Sequence, residues 1–123
     1  VGTVPIYNIG LYHEDPATFE AIMTQLKAIE GLETCKSLET SFDVMANGVS
    51  KATGIEAIRN HFGIPIEDVI AFGDNENDID MISYAGVGVA MSNATTELKA
   101  IANFVTVSND EDGLVYALDK LIG

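Results

Sequence analysis

The chain has a single cysteine, Cys35, among its 123 residues. One cysteine cannot form an intramolecular disulfide or build a metal site from a cluster of thiolates. A reducing cytosol is the cellular location that this cysteine content favours. Long apolar runs are also missing, since no run approaches the roughly 18–20 residues that a bilayer-spanning helix needs. No basic, apolar leader opens the sequence, so a secretory signal is not expected.

Basic residues are scarce as well. The sequence holds 6 lysines and arginines against 19 aspartates and glutamates, which gives a formal net charge of -13. Nucleic-acid binding needs a basic surface that replaces counterions, and an anionic membrane would repel an acidic chain. We therefore expect neither partner. A negatively charged substrate stays compatible if a metal ion and a local lysine reverse the field inside one pocket.

Apolar residues are plentiful, at 47% of the chain, and can furnish a core. A length of 123 residues suits one ordinary domain or part of a larger one. The chain starts at Val1 rather than at a methionine, so we expect a processed, trimmed or cut-down piece of something longer.

The first part of the chain predicts a small module of strands around one helix. Residues 4–12 are rich in β-branched and aromatic side chains and predict a strand. A helix then begins at Asp15-Pro16 and ends at Gly31. Residues 32–46 predict two short strands or a hairpin. The predicted apolar stripe of the helix consists of Phe19, Ile22, Met23, Leu26 and Ile29.

After the turn residues Asn47-Gly48 the pattern alternates between helices and strands. Strands separated by helices of about ten residues imply parallel crossovers, and hence an α/β sheet with covered faces. We place the domain boundary at this turn, with residues 1–47 in one domain and 48–123 in the other. The predicted strands are 69–72, 86–91 and 104–107, and the predicted helices are 51–62, 77–84, 93–102 (capped by Asn93) and 111–121.

The apolar strand at residues 69–72 is followed directly by the acidic turn Gly73-Asp74-Asn75-Glu76-Asn77-Asp78. Ligands of open α/β sheets bind beyond the carboxyl ends of the strands, and so many oxygen acceptors suggest a hard cation. A solvated acidic turn that caps the next helix is the alternative. An EF-hand is excluded, because its loop needs Gly at position 6 and Glu at position 12. Ile79 and Ala85 stand at those positions.

Lys51 stands at the start of the preceding crossover helix, so its charge can reach the same end of the sheet. Its ammonium group suits a phosphate and would offset the repulsion between the carboxylates and an anion. Mg²⁺ often needs only one or two protein carboxylates besides water and a substrate phosphate, and Asp74 fits that role. By itself, a lysine at a helix start is usually a solvated charge.

Together these segments resemble a known family. Lys51, the run GDNENDIDMISYAGVGVAMSNA, then ANFVT and SNDEDGL look like the carboxyl-terminal half of the Cof-type phosphatases (subfamily IIB) of the haloacid dehalogenase-like (HAD) superfamily. The resemblance runs from about residue 49 to residue 121. It implies an α/β fold, the carboxyl-terminal half of a HAD-like Rossmannoid parallel sheet, preceded by a remnant of the α+β cap domain.

The resemblance also implies a function and its residues. Asp74 would ligate Mg²⁺, Lys51 and Asn77 would hold the transferring phosphoryl group, and Asp78 would orient waters or Lys51. Lys51 and Asp78 are thus the candidate catalytic residues. The expected activity is Mg²⁺-dependent hydrolysis of phosphate monoesters of small metabolites, such as sugar phosphates, through an aspartyl-phosphate. The family's nucleophile lies in a DxDGT-type segment, which this chain does not contain, so we expect the chain alone to be inactive.

Two alternatives accompany this interpretation. Asp110-Glu111-Asp112-Gly113 superficially matches DxDG, but two residues separate it from the predicted strand end, and helix capping is the simpler interpretation. The chain could also be a naturally short, non-catalytic domain used for binding or assembly. In the family the nucleophile's strand lies beside the strand equivalent to residues 69–72. We therefore expect a second copy or an amino-terminal segment to cover that edge.

Overall fold

The computed structural model describes residues 6–123, with the backbone but not the side chain of Ser37. These residues divide into two compact units, of which the first ends at Val49 and the second begins at Ser50. The sequence pattern puts its boundary between residues 47 and 48. Each unit contains one sheet of its own.

The first unit is a helix packed on an antiparallel sheet. Its elements are β1 (Ile9–Tyr12), α1 (Pro16–Lys27), β2 (Leu32–Leu38) and β3 (Ser41–Ala46). The strand order is β1-β3-β2, so β3 lies in the middle. Phe19 and Met23 of α1 pack on Phe42 and Val44 of β3. The rings of Phe19 and Phe42 meet edge to face, with centroids 5.2 Å apart, which is a favoured aromatic geometry.

The start of α1 and the hairpin after it are confirmed. Asp15 caps the helix by accepting a hydrogen bond from the Thr18 N–H at 2.8 Å. The end of the helix was predicted too late: it stops at Lys27, and Ile29 lies outside it with 49% of its surface exposed. The predicted strand at residues 4–12 is described only in part, since residues 4 and 5 lie outside the described range and β1 begins at Ile9.

The second unit contains a parallel sheet with strand order β4-β5-β6. Its elements are α2 (Lys51–Phe62), β4 (Ile70–Gly73), α3 (Ile79–Tyr84), β5 (Val87–Ala90), α4 (Thr96–Ile101), β6 (Phe104–Val105) and α5 (Gly113–Leu121). The predicted α/β class is therefore confirmed. One buried apolar cluster of this unit comprises Ala71, Ile82, Ala85, Ala90, Ala94 and Leu98.

Three predicted boundaries of this unit were wrong for local reasons. Residues Glu76–Asp78 form a tight 3-10 turn before α3, because the Asp78 carboxylate accepts backbone N–H bonds from the turn's own start. The last strand stops at Val105, and the buried Thr106 that follows donates its hydroxyl to the carbonyl of Gly113 at 2.6 Å. The last helix begins only at Gly113, because Asp112 has the left-handed φ of 55°.

The predicted role of Asn93 as a helix cap was also wrong. The cap of α4 is Thr95, whose hydroxyl accepts a hydrogen bond from the Leu98 N–H at 3.3 Å. Helix α2 has the predicted bounds, with Ser50 as its cap, and two of its large apolar side chains are exposed: Ile58 at 59% and Phe62 at 71%. No helix in the described residues is both long and apolar enough to cross a bilayer.

Candidate functional site

Asp78 is a buried carboxylate that connects three segments of the second unit. Its Oδ1 accepts a hydrogen bond from Lys51 Nζ at 2.5 Å. Its Oδ2 accepts hydrogen bonds from the backbone N–H groups of Asp74 at 3.0 Å and Asn75 at 3.2 Å. Only 5% of the residue is exposed, so these partners replace the water that the charge has lost.

The pKa of Asp78 reflects two opposing causes. Burial raises it, whereas the hydrogen bond from Lys51, the two backbone N–H bonds and the lysine's charge lower it. The lowering causes prevail together, so the pKa lies below its usual value of 3.8. The carboxylate is therefore ionised near neutral pH and forms an ion pair with Lys51.

Lys51 is brought to this carboxylate by the start of α2. Ser50 caps the helix in a reciprocal arrangement with Thr53, which fixes Lys51 as the first helical residue. Its side chain is 49% exposed, so it reaches from solvent to a buried partner. The ion pair thereby holds an ammonium group beside the turn that follows β4.

Gly73, the last residue of β4, is required by packing. A Cβ at this position would lie 2.5 Å from the Cβ of Asp78, a separation that real side chains do not adopt. Any larger residue would push Asp78 away from Lys51 and from the backbone of the turn. The Gly-Asp sequence at the end of the strand thus permits the close approach of Asp78.

Asp74 is exposed at the same strand end and is held by three hydrogen bonds. Its N–H donates to Asp78, and its carbonyl accepts from the Thr95 N–H at 3.2 Å. Its Oδ2 accepts a hydrogen bond from Asn93 Nδ2 at 3.4 Å. The backbone of Asp74 is therefore fixed from two sides, and its carboxylate is contacted from the loop after β5.

A cavity of about 430 Å³ opens at this end of the sheet. It is lined by Lys51, Phe72, Gly73, Asp74, Asp78, Met81 and Met91. The structure thus brings together Lys51, Asp74 and Asp78, three of the four residues singled out in the sequence. Asn77 is half-buried on the intervening turn and is not among the described residues that line the cavity. The chemical roles of all four stay predictions.

Sequence reasoning missed the contribution of Asn93, which was interpreted as a helix cap. Its position offered a signal: Asn93 follows β5 closely, as Asp74 follows the neighbouring parallel strand β4. Carboxyl ends of parallel strands meet at one edge of a sheet, so side chains just beyond them lie close together. The cavity is also lined by Met81 and Met91, which the sequence analysis did not single out.

The side chains at this strand end can provide one protein ligand for a magnesium ion. Within residues 6–123 no group of three or more His, Cys, Asp or Glu side chains is arranged to hold a metal. Asp74 nevertheless offers an exposed carboxylate at the cavity wall. Mg²⁺ keeps several waters and is commonly bound by one or two carboxylates together with substrate phosphate oxygens. Asp74 can serve as one of those carboxylates.

A substitution at Gly73 tests the packing at the strand end. Gly73→Ala forces Asp78 to shift and weakens its bonds, so we expect the free energy of unfolding to fall by about 1–3 kcal/mol in urea denaturation. Gly54→Ala is the matched control. A Cβ at Gly54 meets nothing within 4 Å, and the change inside a helix should stabilise by about 0.5–1 kcal/mol. Equal stability of Gly73→Ala and wild type would contradict the packing argument.

Asp78→Asn tests the ion pair through its pH dependence. The folded-state pKa is lowered, so the unfolded chain binds the proton first as the pH falls. The stability contributed by the carboxylate is therefore complete well above pH 3.8 and is lost as the pH falls through the lowered pKa. Denaturation at a series of pH values should show Asp78→Asn less stable than wild type near neutrality, with a difference that shrinks in acid. A pH-independent difference, or the same profile in the exposed control Asp119→Asn, would refute this.

Comparison with known proteins places the chain in a family. The sequence model of the haloacid dehalogenase-like hydrolases matches residues 3–118. The putative phosphatase YkrA of Bacillus subtilis is 52% identical over 83 residues, which make up 68% of this chain and 32% of that protein. The solved structure of a haloacid dehalogenase-like hydrolase from B. subtilis is also similar, with a TM-score of 0.87 and 33% identity. The superposition covers 98% of this chain and 43% of the B. subtilis chain.

A third relative is the solved structure of BT4131, a sugar phosphatase of HAD subclass IIB. The superposition covers 82% of this chain and 39% of the BT4131 chain, with a TM-score of 0.76 and 40% identity. The chain therefore spans less than half the length of each of these three proteins. The superpositions confirm the predicted HAD-like fold, and the resemblance to the Cof-type phosphatases is confirmed with it. Matched by the family model over nearly its whole length, the chain belongs to the haloacid dehalogenase-like hydrolases.

Proposed function

We propose that the intact protein is a Mg²⁺-dependent phosphatase that hydrolyses phosphate monoesters of small metabolites, such as sugar phosphates. The observation that carries the proposal is the Lys51–Asp78 ion pair in the wall of a cavity that Asp74 also lines. The family and the sugar phosphatase among its relatives support the same chemistry.

Lys51 is proposed to hold the phosphoryl group. Asp78 fixes the ammonium group within the cavity wall, so that little reorganisation is needed when a phosphate arrives. The half-exposed lysine side chain remains accessible to a ligand. We propose that Asn77, on the same turn, supplies an additional hydrogen bond to the phosphate.

The charges in the cavity wall favour a bound metal ion. Asp74 and Asp78 place two carboxylates in its wall against the single ammonium of Lys51, and the chain carries a net charge of -13. A phosphate dianion would be repelled by that balance. Mg²⁺ at Asp74 would supply positive charge, which stabilises the charge of the transferring phosphoryl group when it is bound.

The nucleophile is proposed to be an aspartate outside this chain. It would attack phosphorus and release the alcohol, and water would then hydrolyse the aspartyl-phosphate to inorganic phosphate. The geometry around Asp110 argues against Asp110 as the nucleophile. Asp110 lies in the 3-10 turn Asn109–Glu111, several residues beyond β6, and is exposed. The neighbouring Glu111 accepts a hydrogen bond from Oγ of Ser108, the cap of that turn, at 2.8 Å.

This division of the site predicts that the 123-residue chain alone does not turn over phosphate esters. Without a nucleophile, Lys51 and Asn77 could hold an anion but could not open the covalent route. We expect no hydrolysis of an aryl phosphate with Mg²⁺ by the chain alone. Activity should appear when the chain is mixed with an amino-terminal fragment that bears DxDGT, and it should be lost again in Asp74→Ala.

The Asp110→Ala variant is the control for that experiment. Activity of the isolated chain that disappeared in Asp110→Ala would make Asp110 the nucleophile and overturn the proposal. Inactivity of the mixture would favour a non-catalytic domain used for binding or assembly.

We propose the cytoplasm as the place of action, because the single cysteine suits a reducing compartment.

The outer edge of β4 is proposed to be covered in the working protein. Among the described residues β4 pairs with β5 alone, which leaves its other edge without a neighbouring strand. Exposed strand edges are ready templates for pairing with another chain. A further segment of the intact protein or a second copy of the chain would satisfy those backbone groups.

Light scattering of the isolated chain tests the covering of β4. A single copy has a mass of 13.1 kDa, and we expect a larger assembled mass in solution because the open edge favours pairing. Adding the amino-terminal fragment should reduce that self-association. A stable monomer at 13.1 kDa over a wide concentration range would contradict this prediction.

A further inference from the structure

Asn93 connects the loops that follow all three strands of the parallel sheet. Its Nδ2 donates to Asp74 Oδ2 beyond β4, at 3.4 Å. Its Oδ1 accepts from the backbone N–H of Asn109 beyond β6, also at 3.4 Å. The second contact settles which way the amide points, because a backbone N–H can only face the oxygen. The amide N–H₂ is therefore directed at Asp74.

The contact with Asp74 involves the part of that residue that the backbone does not fix. The N–H of Asp74 is bound to Asp78 and its carbonyl to the Thr95 N–H, so the main chain has little freedom. Rotation about the side-chain bonds remains. Asn93 engages Oδ2, and within the described residues Oδ1 accepts no hydrogen bond from a protein donor. One oxygen is thus oriented while the other stays available.

We propose that Asn93 is a positioning residue that orients the Asp74 carboxylate for a divalent cation. The inference rests on the proposed function, in which Asp74 is the metal ligand. A neutral amide suits this task, since it donates a hydrogen bond without adding a positive charge that would repel the ion. Partners that orient a metal-bound carboxylate typically change metal affinity 10–100-fold when removed.

A role limited to helix capping does not account for Asn93. The cap of α4 is Thr95, and the Asn93 side chain contacts the loops on either side instead. If Asn93 only joined those loops, removing its side chain would lower the stability of the protein and nothing else. If it orients Asp74, removing its side chain also lowers the affinity for metal, by more than any loss of stability explains.

The experiment measures the binding of Mn²⁺, as a probe of the magnesium site, to the intact protein. Free Mn²⁺ is quantified by electron paramagnetic resonance. We expect Asn93→Ala to weaken binding about tenfold or more. Asn93→Gln keeps an amide donor and should recover part of the affinity. Asn60→Ala, the same change at an exposed residue of α2, should bind as wild type does. Thermal unfolding of each variant without metal gives the stability.

Asp74→Ala separates the two ways in which this inference can fail. If Asp74→Ala loses Mn²⁺ binding while Asn93→Ala keeps wild-type affinity, Asn93 does not position the carboxylate and the inference is wrong. If Asp74→Ala itself binds Mn²⁺ as well as wild type, the metal assignment of the proposed function is wrong, and the inference falls with it. Loss of affinity in Asn93→Ala together with unchanged thermal stability supports the inference.

Discussion

The Asp78 carboxylate is the interaction on which the candidate site depends. A buried charge is unfavourable unless hydrogen bonds and an opposite charge replace its hydration. Lys51 and the backbone N–H groups of Asp74 and Asn75 meet that requirement. The same bonds that keep Asp78 ionised also bring the ammonium group of α2 to the end of β4. Electrostatic stabilisation and site assembly therefore have one cause.

The parallel sheet gives this constraint its geometry. Strands β4, β5 and β6 run in one direction, so the loops that follow them emerge at one edge. Asp74, Asn93 and Asn109 each come from a different one of these loops, and the Asn93 side chain joins them by donating to the Asp74 carboxylate and accepting from the backbone N–H of Asn109. Residues far apart in the chain become neighbours because each lies just beyond a strand.

The acidity of the chain is compatible with a site for an anion. A net charge of -13 spread over the surface opposes phosphate binding, but the field inside a small cavity is set by its nearest charges. Lys51 is the ammonium group in the cavity wall. Asp74 and Asp78 outnumber it there, so a divalent cation at Asp74 would be needed to turn the local charge balance in favour of a phosphate. The overall charge therefore opposes partners that need a broad basic surface more than it opposes a small phosphorylated ligand.

The sequence by itself determined the α/β class, the bounds of α2 and the acidic turn after β4, because helical periodicity, apolar strands and Gly-Asp turn chemistry are local properties. It also singled out Lys51, Asp74, Asn77 and Asp78 from their spacing about consecutive crossover units, and of these four only Asn77 is not among the described residues that line the cavity. Only the tertiary structure decided that Asp78 pairs with Lys51, that Gly73 is required by contact with Asp78, and that Asn93 contacts Asp74 instead of capping α4. Those facts depend on contacts between segments distant in sequence, and local propensities do not encode them.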